Sequence, residues 1–72
     1  MKIEAGQIYE QSNGEIFVVT LIDEDNNIHV IYKDGYTAIY TVRENKNFIF
    51  DKLLKTLPSW REAVSNLWDY DE

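Results

Sequence analysis

One seven-residue stretch of apolar and β-branched side chains constrains the fold of this chain more than any other feature. Residues 16–22 read Ile-Phe-Val-Val-Thr-Leu-Ile and lie between Glu15 and Asp23. Because β-branched and aromatic residues favour strands, and because odd and even positions are both apolar, we expect burial on both faces. The stretch therefore predicts a central, well-buried strand in a chain of only 72 residues.

The length and composition predict one small domain that spans residues 1–72. A chain of this length buries only about 60% of its unfolded surface, so its core is thin. The apolar content of 44% and the ten aromatic residues are sufficient for a folded globule. The sequence lacks Cys, which is typical of a reducing compartment, and shows neither a signal peptide nor a membrane-spanning run. We therefore expect a cytoplasmic protein without a membrane segment.

Gly14 marks the turn of a first predicted hairpin. Residues 8–11 are a short strand candidate, and Ser12-Asn13-Gly14 follows as the turn. When the register is continued into the central strand, Tyr9 pairs with Phe17. The turn thereby decides which residues of the two strands share a face.

The register of a second hairpin follows from the positions of its apolar residues. Residues 28–33 and 36–43 are the predicted strands around Gly35. A two-residue turn would split the even-numbered apolar residues between the faces, whereas a three-residue turn pairs Tyr32 with Tyr36 and places them all on one face. We therefore predict the three-residue turn, with Gly35 in a left-handed conformation.

The last third of the chain predicts a strand followed by a helix. Residues 48–50, Phe-Ile-Phe, are typical of a strand. Residues 51–57 fit either a strand that enters a short turn or one helical turn, and we favour the strand. Ser59 and Glu62 form a capping box at the start of a helix over about residues 59–68. The apolar stripe of this helix consists of Trp60, Ala63, Val64, Leu67 and Trp68.

These elements predict a mainly β fold with one C-terminal helix. Four or five short antiparallel strands and a helix are typical of a small SH3-like barrel in which the helix covers an open end. A curved antiparallel sheet with the helix packed across one face is the alternative. Either arrangement is expected to bury Trp60, Val64 and Leu67.

The charged residues are distributed unevenly along the chain. The net charge is −6, and residues 3–32 contain six acids but no Lys or Arg. Such a surface repels nucleic acid and attracts basic proteins, while Trp and Tyr are common interface anchors. The acids of this run are Glu4, Glu10, Glu15, Asp23, Glu24 and Asp25. The predicted partner-binding residues are Glu10, Glu15, Asp23, Glu24, Asp25, Trp68 and Tyr70.

A band of basic residues supports an alternative hypothesis, nucleic-acid binding. Aromatic residues lie between these bases, as they do in small barrels that bind nucleic acid. The isoelectric point of 4.6 argues against this hypothesis, since nucleic-acid-binding domains usually have values above about 9. The residues of the alternative site are Arg43, Lys46, Lys52, Lys55 and Arg61.

No complete catalytic, metal or cofactor motif is visible in the sequence. Residues 23–27 match the start of a calcium-binding loop, but Ile28 replaces its Gly and Asp34 replaces its final Glu. His29 alternates with core residues and has no Cys or suitably spaced carboxylate on its strand, so we predict a solvated surface side chain. The glycines are too far apart for a phosphate-binding loop. We therefore predict a non-enzymatic protein without cofactor or metal, and rank an enzyme or enzyme subunit last.

Two segments resemble known families. Residues 54–64, Leu-Lys-Thr-Leu-Pro-Ser-Trp-Arg-Glu-Ala-Val, resemble the ends of small uncharacterised proteins of Gram-positive phages and prophages, which often close with Pro, Ser or Thr, Trp, any residue, Glu, Ala and Val. Residues 32–36, Tyr-Lys-Asp-Gly-Tyr, are similar to Tudor and other SH3-like barrels, although the aromatic cage for methyl-lysine is lacking. The first resemblance implies a phage or prophage protein in a bacterial host cell and implies no activity.

Together these observations predict a phage-encoded, non-enzymatic protein that docks an acidic surface on a basic host protein, such as a DNA-binding protein. Nucleic-acid binding through the basic band is the second hypothesis. The sequence leaves open both the identity of the partner and the oligomeric state, which is either a monomer or a homodimer that buries the last helix.

Overall fold

The fold is mainly β with a C-terminal helix, as predicted. The computed structural model describes residues 3–41 and 52–69. The elements in these two ranges are β1 (Gln7–Glu10), β2 (Ile16–Ile22), β3 (Asn27–Tyr32), β4 (Thr37–Thr41), β5 (Lys52–Thr56) and α1 (Trp60–Asp69). The predicted strand at residues 48–50 lies outside the described residues, and the assignment to SH3-like barrels stays a prediction.

The strands form one antiparallel sheet in the order β4-β3-β2-β1-β5. Strand β2 is central and its first four residues, 16–19, are buried, which confirms the prediction from its composition. Strand β5 pairs with β1, and Leu53 lies opposite Tyr9. Most of the ambiguous segment 51–57 is therefore a strand, because this pairing supplies backbone partners that an isolated helical turn lacks.

Both predicted hairpin registers are confirmed. In the first hairpin Tyr9 lies opposite Phe17, and their rings stack with centroids 5.7 Å apart. In the second hairpin the Tyr32 amide donates to the Tyr36 carbonyl oxygen at 2.7 Å, which closes the three-residue turn. Gly35 has a φ of +93°, the left-handed conformation that this turn requires.

Two apolar clusters lie on opposite faces of the sheet, because successive strand residues point to alternate faces. On the first face the buried residues are Tyr9, Phe17, Val19, Ile28, Val30 and Tyr32. On the second face the buried residues are Ile8, Ile16 and Val18, with Ala63 and Leu67 of α1 packed on them. The helix therefore covers β1 and β2 on the second face and gives β2 its packing on both sides.

The helix begins as predicted, but its apolar stripe is not buried throughout. The Glu62 amide donates to the Ser59 hydroxyl oxygen at 3.3 Å, which caps α1. Val64 is half-buried, whereas Trp60 and Trp68 remain 43% and 50% exposed. The expected burial of Trp60 is wrong because this residue stands at the first position of α1, where its side chain lines a groove beside the sheet.

Gly6 connects the start of the chain to the segment that precedes α1. Its amide donates to the Val19 carbonyl oxygen at 2.9 Å, and its carbonyl oxygen accepts from the Leu57 amide at 3.0 Å. Its φ is +97°, and a Cβ atom on it would lie 2.5 Å from the Leu57 carbonyl oxygen. Only glycine fits this position, which brings residues 3–5 close to the start of the helix.

Candidate functional site

A groove of about 960 Å³ opens on the sheet beside the start of α1. Its described lining comes from residues 3–5, 20–22, 29–31 and 37–39, together with Trp60. Most of these side chains are apolar, and the polar ones are Glu4, Thr20, His29 and Thr37. A lining of this composition is typical of a binding site for apolar groups with a small number of orienting polar contacts.

The floor of the groove is a row of three side chains that crosses strands β2, β3 and β4. A register shift between Val19 and Leu21 places Leu21 opposite His29, and His29 lies opposite Ile39 on its other side. Directly opposite residues in antiparallel strands point to the same face, so these three side chains are neighbours. Leu21 is 49% and Ile39 is 61% exposed, which leaves much of the row open to solvent.

His29, the middle residue of this row, is hydrogen-bonded to the side chain of Asp23. The His29 Nε2 atom lies 3.1 Å from the Asp23 Oδ2 atom, and each side chain is 30% exposed. The Asp23 Oδ1 atom also accepts from the amides of Asp25 and Asn27, at 2.9 and 3.0 Å. The hydrogen bond to the imidazole and those from the loop lower the pKa of Asp23 below its ordinary value of 3.8.

This pair corrects the prediction that His29 is a solvated surface residue. The side chain is half-buried, and its carboxylate partner stands six positions earlier in the chain, across the β2–β3 loop. The pairing of Ile22 with Ile28 closes that loop and brings Asp23 next to His29 diagonally across the two strands. The sequence contained a signal for this pair, because Asp23 and His29 stand at either end of a short loop between two predicted strands.

The Thr20 hydroxyl of the groove is hydrogen-bonded to the backbone. The Thr20 Oγ1 atom donates to the His29 carbonyl oxygen at 3.1 Å, so the hydroxyl bridges β2 and β3 at the register shift. A nucleophile paired with a base would have to point at the His29 imidazole instead.

The sheet separates the predicted acidic residues into two groups. Glu10 and Glu15 lie at the β1–β2 turn, whereas residues 23–25 lie in the loop at the far end of β2. Seven strand residues at about 3.3 Å each put roughly 20 Å between these ends. The expectation of one continuous acidic surface is therefore corrected, because consecutive hairpin turns lie at alternate ends of an antiparallel sheet.

The two groups have different surroundings. At the first end the Glu10 Oε1 atom lies 3.0 Å from the Lys52 Nζ atom, so a base of β5 offsets one of the acids. At the second end Glu4 lines the groove and Asp23 bonds to the groove residue His29. We call this second group, Glu4, Asp23, Glu24 and Asp25, the acidic end.

The predicted basic band is only partly described, and its described members contact neighbours on this chain. Lys52 pairs with Glu10, and the Lys55 Nζ atom donates to the Asn66 Oδ1 atom at 3.3 Å. The Arg61 guanidinium lies 5.4 Å from the ring centroid of Trp60. The remaining predicted residues lie outside the described residues: Arg43 and Lys46 of the band, and Tyr70 of the predicted partner-binding residues.

Comparison with protein-family models, with curated proteins and with solved structures found no match to this chain. In residues 3–41 and 52–69, no group of three or more His, Cys, Asp or Glu side chains is arranged to hold a metal ion. The only helix in these two ranges is too short to cross a membrane. The candidate site is thus defined by its own geometry: an apolar groove that is lined by Glu4 and connected through His29 to Asp23.

Proposed function

We propose that this protein is a non-enzymatic binding protein that docks its acidic end on a basic protein partner. The observation that supports this most directly is that Glu4 lines an exposed apolar groove and that Asp23, at the start of the acidic loop, is hydrogen-bonded to the lining residue His29. The described residues that line the groove include Glu4 and His29 but no Lys or Arg. A partner surface that carries Lys and Arg around apolar side chains complements both properties.

The combination of charge and exposed apolar surface matters more than either property alone. Charge at the rim of an interface mainly speeds association and selects partners, while buried aromatic and apolar anchors supply most of the binding energy. Leu21, Ile39 and Trp60 are large and exposed, and they line the same groove as Glu4. The acidic end and the groove therefore have complementary roles in one interface.

The proposal includes a phage or prophage origin and a bacterial host protein as the partner. The likeness of residues 54–64 to the ends of small phage proteins supports this part. A DNA-binding host protein would present Lys and Arg at a spacing suited to phosphates, and clustered carboxylates can occupy such positions.

Affinity capture from a bacterial lysate tests the proposal. The test variant Glu24→Gln/Asp25→Asn removes two exposed charges of the acidic end and leaves Asp23 to hold the loop. The matched control Glu15→Gln/Asp34→Asn removes two charges at the opposite end and keeps the side-chain acceptors there. We expect the wild type and the control to retain the same basic protein, and the test variant to lose it. Failure to retain any basic protein, or equal retention by the two variants, contradicts the proposal.

Nucleic-acid binding through the basic band is the competing function. Lys52 is already paired with Glu10, and Lys55 contacts Asn66, so both would have to exchange partners to contact phosphates. A mobility shift at low salt that fades steeply as salt rises would favour this function over protein binding.

A further inference from the structure

We propose that the groove holds one amphipathic, basic helix of the partner, with apolar side chains on the floor and Lys or Arg side chains towards the acidic end. This inference rests on the proposed function and specifies which element of the basic partner makes the contact. It assigns the groove to a peptide segment of defined shape and charge.

The width of the floor supports a helix as the occupant. Leu21 and Ile39 stand on either side of His29, two strand spacings apart. At about 4.8 Å per spacing, the floor is roughly 10 Å across, which matches the diameter of an α-helix with its side chains. Trp60 at the start of α1 forms a wall on one side. An amphipathic helix that lays its apolar face into a groove is a common mode of peptide recognition.

The exposure of the floor supports an apolar contact face. Leu21, Ile39 and Trp60 are 49%, 61% and 43% exposed although they lie around one groove. Isolated apolar side chains on a surface need no explanation, but a contiguous group with a polar rim marks an interaction site. A helix with apolar residues at positions i, i+3 and i+4 would cover this group with one stripe.

The charge at the rim argues for a basic occupant and against two others. A second copy of this chain docked groove to groove would add a second set of the same acids, and the described lining contains no Lys or Arg to pair with them, so its charge opposes association. The C-terminal residues 69–72 carry three acids, so they are repelled by the same rim. Lys and Arg side chains can instead reach Glu24 and Asp25, which are exposed.

Titration with defined peptides tests the inference. The probe is an amphipathic Leu/Lys peptide of about 14 residues, which makes about four helical turns. The comparison peptide is oligolysine of equal length, which has the charge but no apolar face. Nuclear magnetic resonance of the labelled full chain locates the contact, and we expect the Leu/Lys peptide to shift the signals of Leu21, His29, Ile39 and the Trp60 indole.

Two matched variants separate the groove from other exposed apolar surface. Ile39→Lys places a cation on the floor, and we expect it to weaken binding of the Leu/Lys peptide at least about tenfold. The sequence predicts that Trp68 binds the partner, but it is not among the described residues that line the groove. Trp68→Ala therefore removes an equally exposed apolar side chain outside the described groove, and we expect less than about a twofold change. Circular dichroism checks that both variants fold, and Leu21→Ser replaces Ile39→Lys if the latter does not.

Several outcomes overturn the inference. If oligolysine binds as tightly as the Leu/Lys peptide, or if Ile39→Lys has no effect, the acidic end binds without the groove. The proposed function is then tested by the lysate experiment alone. The inference is also wrong if neither peptide binds, if the shifted signals are confined to β4 and spare Leu21 and Trp60, or if sedimentation shows a dimer that closes the groove. In the Trp68→Ala variant, where Trp60 is the only Trp, resistance of the fluorescence to acrylamide quenching without peptide would show that the groove is already filled.

Discussion

Replacement of Gly6 by Ala is the sharpest test of how the fold builds the groove. Gly6 has a φ of +97°, and an added Cβ atom would lie 2.5 Å from the carbonyl oxygen of Leu57. That oxygen is backbone, so the contact is relieved only if the connection between β5 and α1 moves. Gly14 and Gly35 have φ values of +90° and +93°, but a Cβ atom on either would meet nothing within 4 Å. The chain therefore contains its own controls.

The three Gly→Ala replacements are expected to cost different amounts of stability, because only the one at Gly6 causes a steric clash. A left-handed conformation costs an L-residue roughly 1–2 kcal/mol, and this cost applies to all three replacements. Overpacking adds about 1–3 kcal/mol at Gly6 only, so Gly6→Ala should lose about 2–5 kcal/mol. A domain of 72 residues has a total stability of about 4–11 kcal/mol, so this loss is a large part of the whole.

Urea denaturation followed by circular dichroism measures the three variants. With a slope of about 1 kcal/mol per molar urea, we expect the midpoint to fall by about 2 M or more for Gly6→Ala and by about 1–2 M for Gly14→Ala and Gly35→Ala. Equal midpoints for the three variants would refute the reasoning, because they would mean that the Leu57 carbonyl oxygen does not confine Gly6. The signal of the Trp60 indole should also move in Gly6→Ala alone, since Leu57 leads into the helix that carries it.

Three further predictions concern the core and the titrating groups. Leu67→Ala should lower the free energy of unfolding by about 2–5 kcal/mol because Leu67 is fully buried, whereas Trp68→Ala should cost less than about 1 kcal/mol, as urea titration will show. Burial raises the pKa values of Tyr9 and Tyr32 above 10.0, so the stability that their neutral phenols contribute is present below pH 10 and is lost as the pH rises further. Phenolate absorbance measured alongside the urea midpoint should show both groups ionising only as the protein unfolds. The lowered pKa of Asp23 has the opposite sign: the stability advantage of the wild type over Asp23→Asn should be full above about pH 5 and shrink as the pH falls below 3.8.

Local rules were sufficient for most of the fold. The two-residue period of strand side chains and the positions of Gly14 and Gly35 fixed both hairpin registers. The segment that became β5 stayed ambiguous because Leu53, Leu54 and Leu57 also fit one helical turn. Its state is decided by pairing with β1, more than 40 positions earlier, and a contact of that range leaves no local pattern.

The groove was harder to predict than the fold because it depends on a register shift. Without the shift between Val19 and Leu21, the side chain of Leu21 would not lie beside His29. A signal was nevertheless present: the second hairpin places its even-numbered apolar residues on one face and leaves Ile31 and Ile39 on the other. Two apolar residues on the face opposite the main core indicate a second apolar surface.

The acidic residues were identified correctly as a feature of the sequence, but their arrangement in space was not. Residues close in sequence within a strand and its turn stay together, whereas successive turns alternate between the ends of a sheet. Glu10 and Asp23 are separated by one strand, and for that reason they lie at opposite ends. Glu4 is far from Asp23 in sequence but borders the same groove, because Gly6 is hydrogen-bonded to Val19 near the end of β2.

Ile39 shows why the groove is better explained by binding than by folding. Ile39 is 61% exposed, so folding removes little of its side chain from water. The isoleucine therefore contributes little to the stability of the folded state. A contact that buried the exposed part would add stabilisation to the complex alone, and the same holds for Leu21. Substitutions at these two positions should therefore separate the two properties, with the urea midpoint nearly unchanged and peptide affinity reduced. Substitution of the fully buried Leu67 should instead lower stability before it affects the groove.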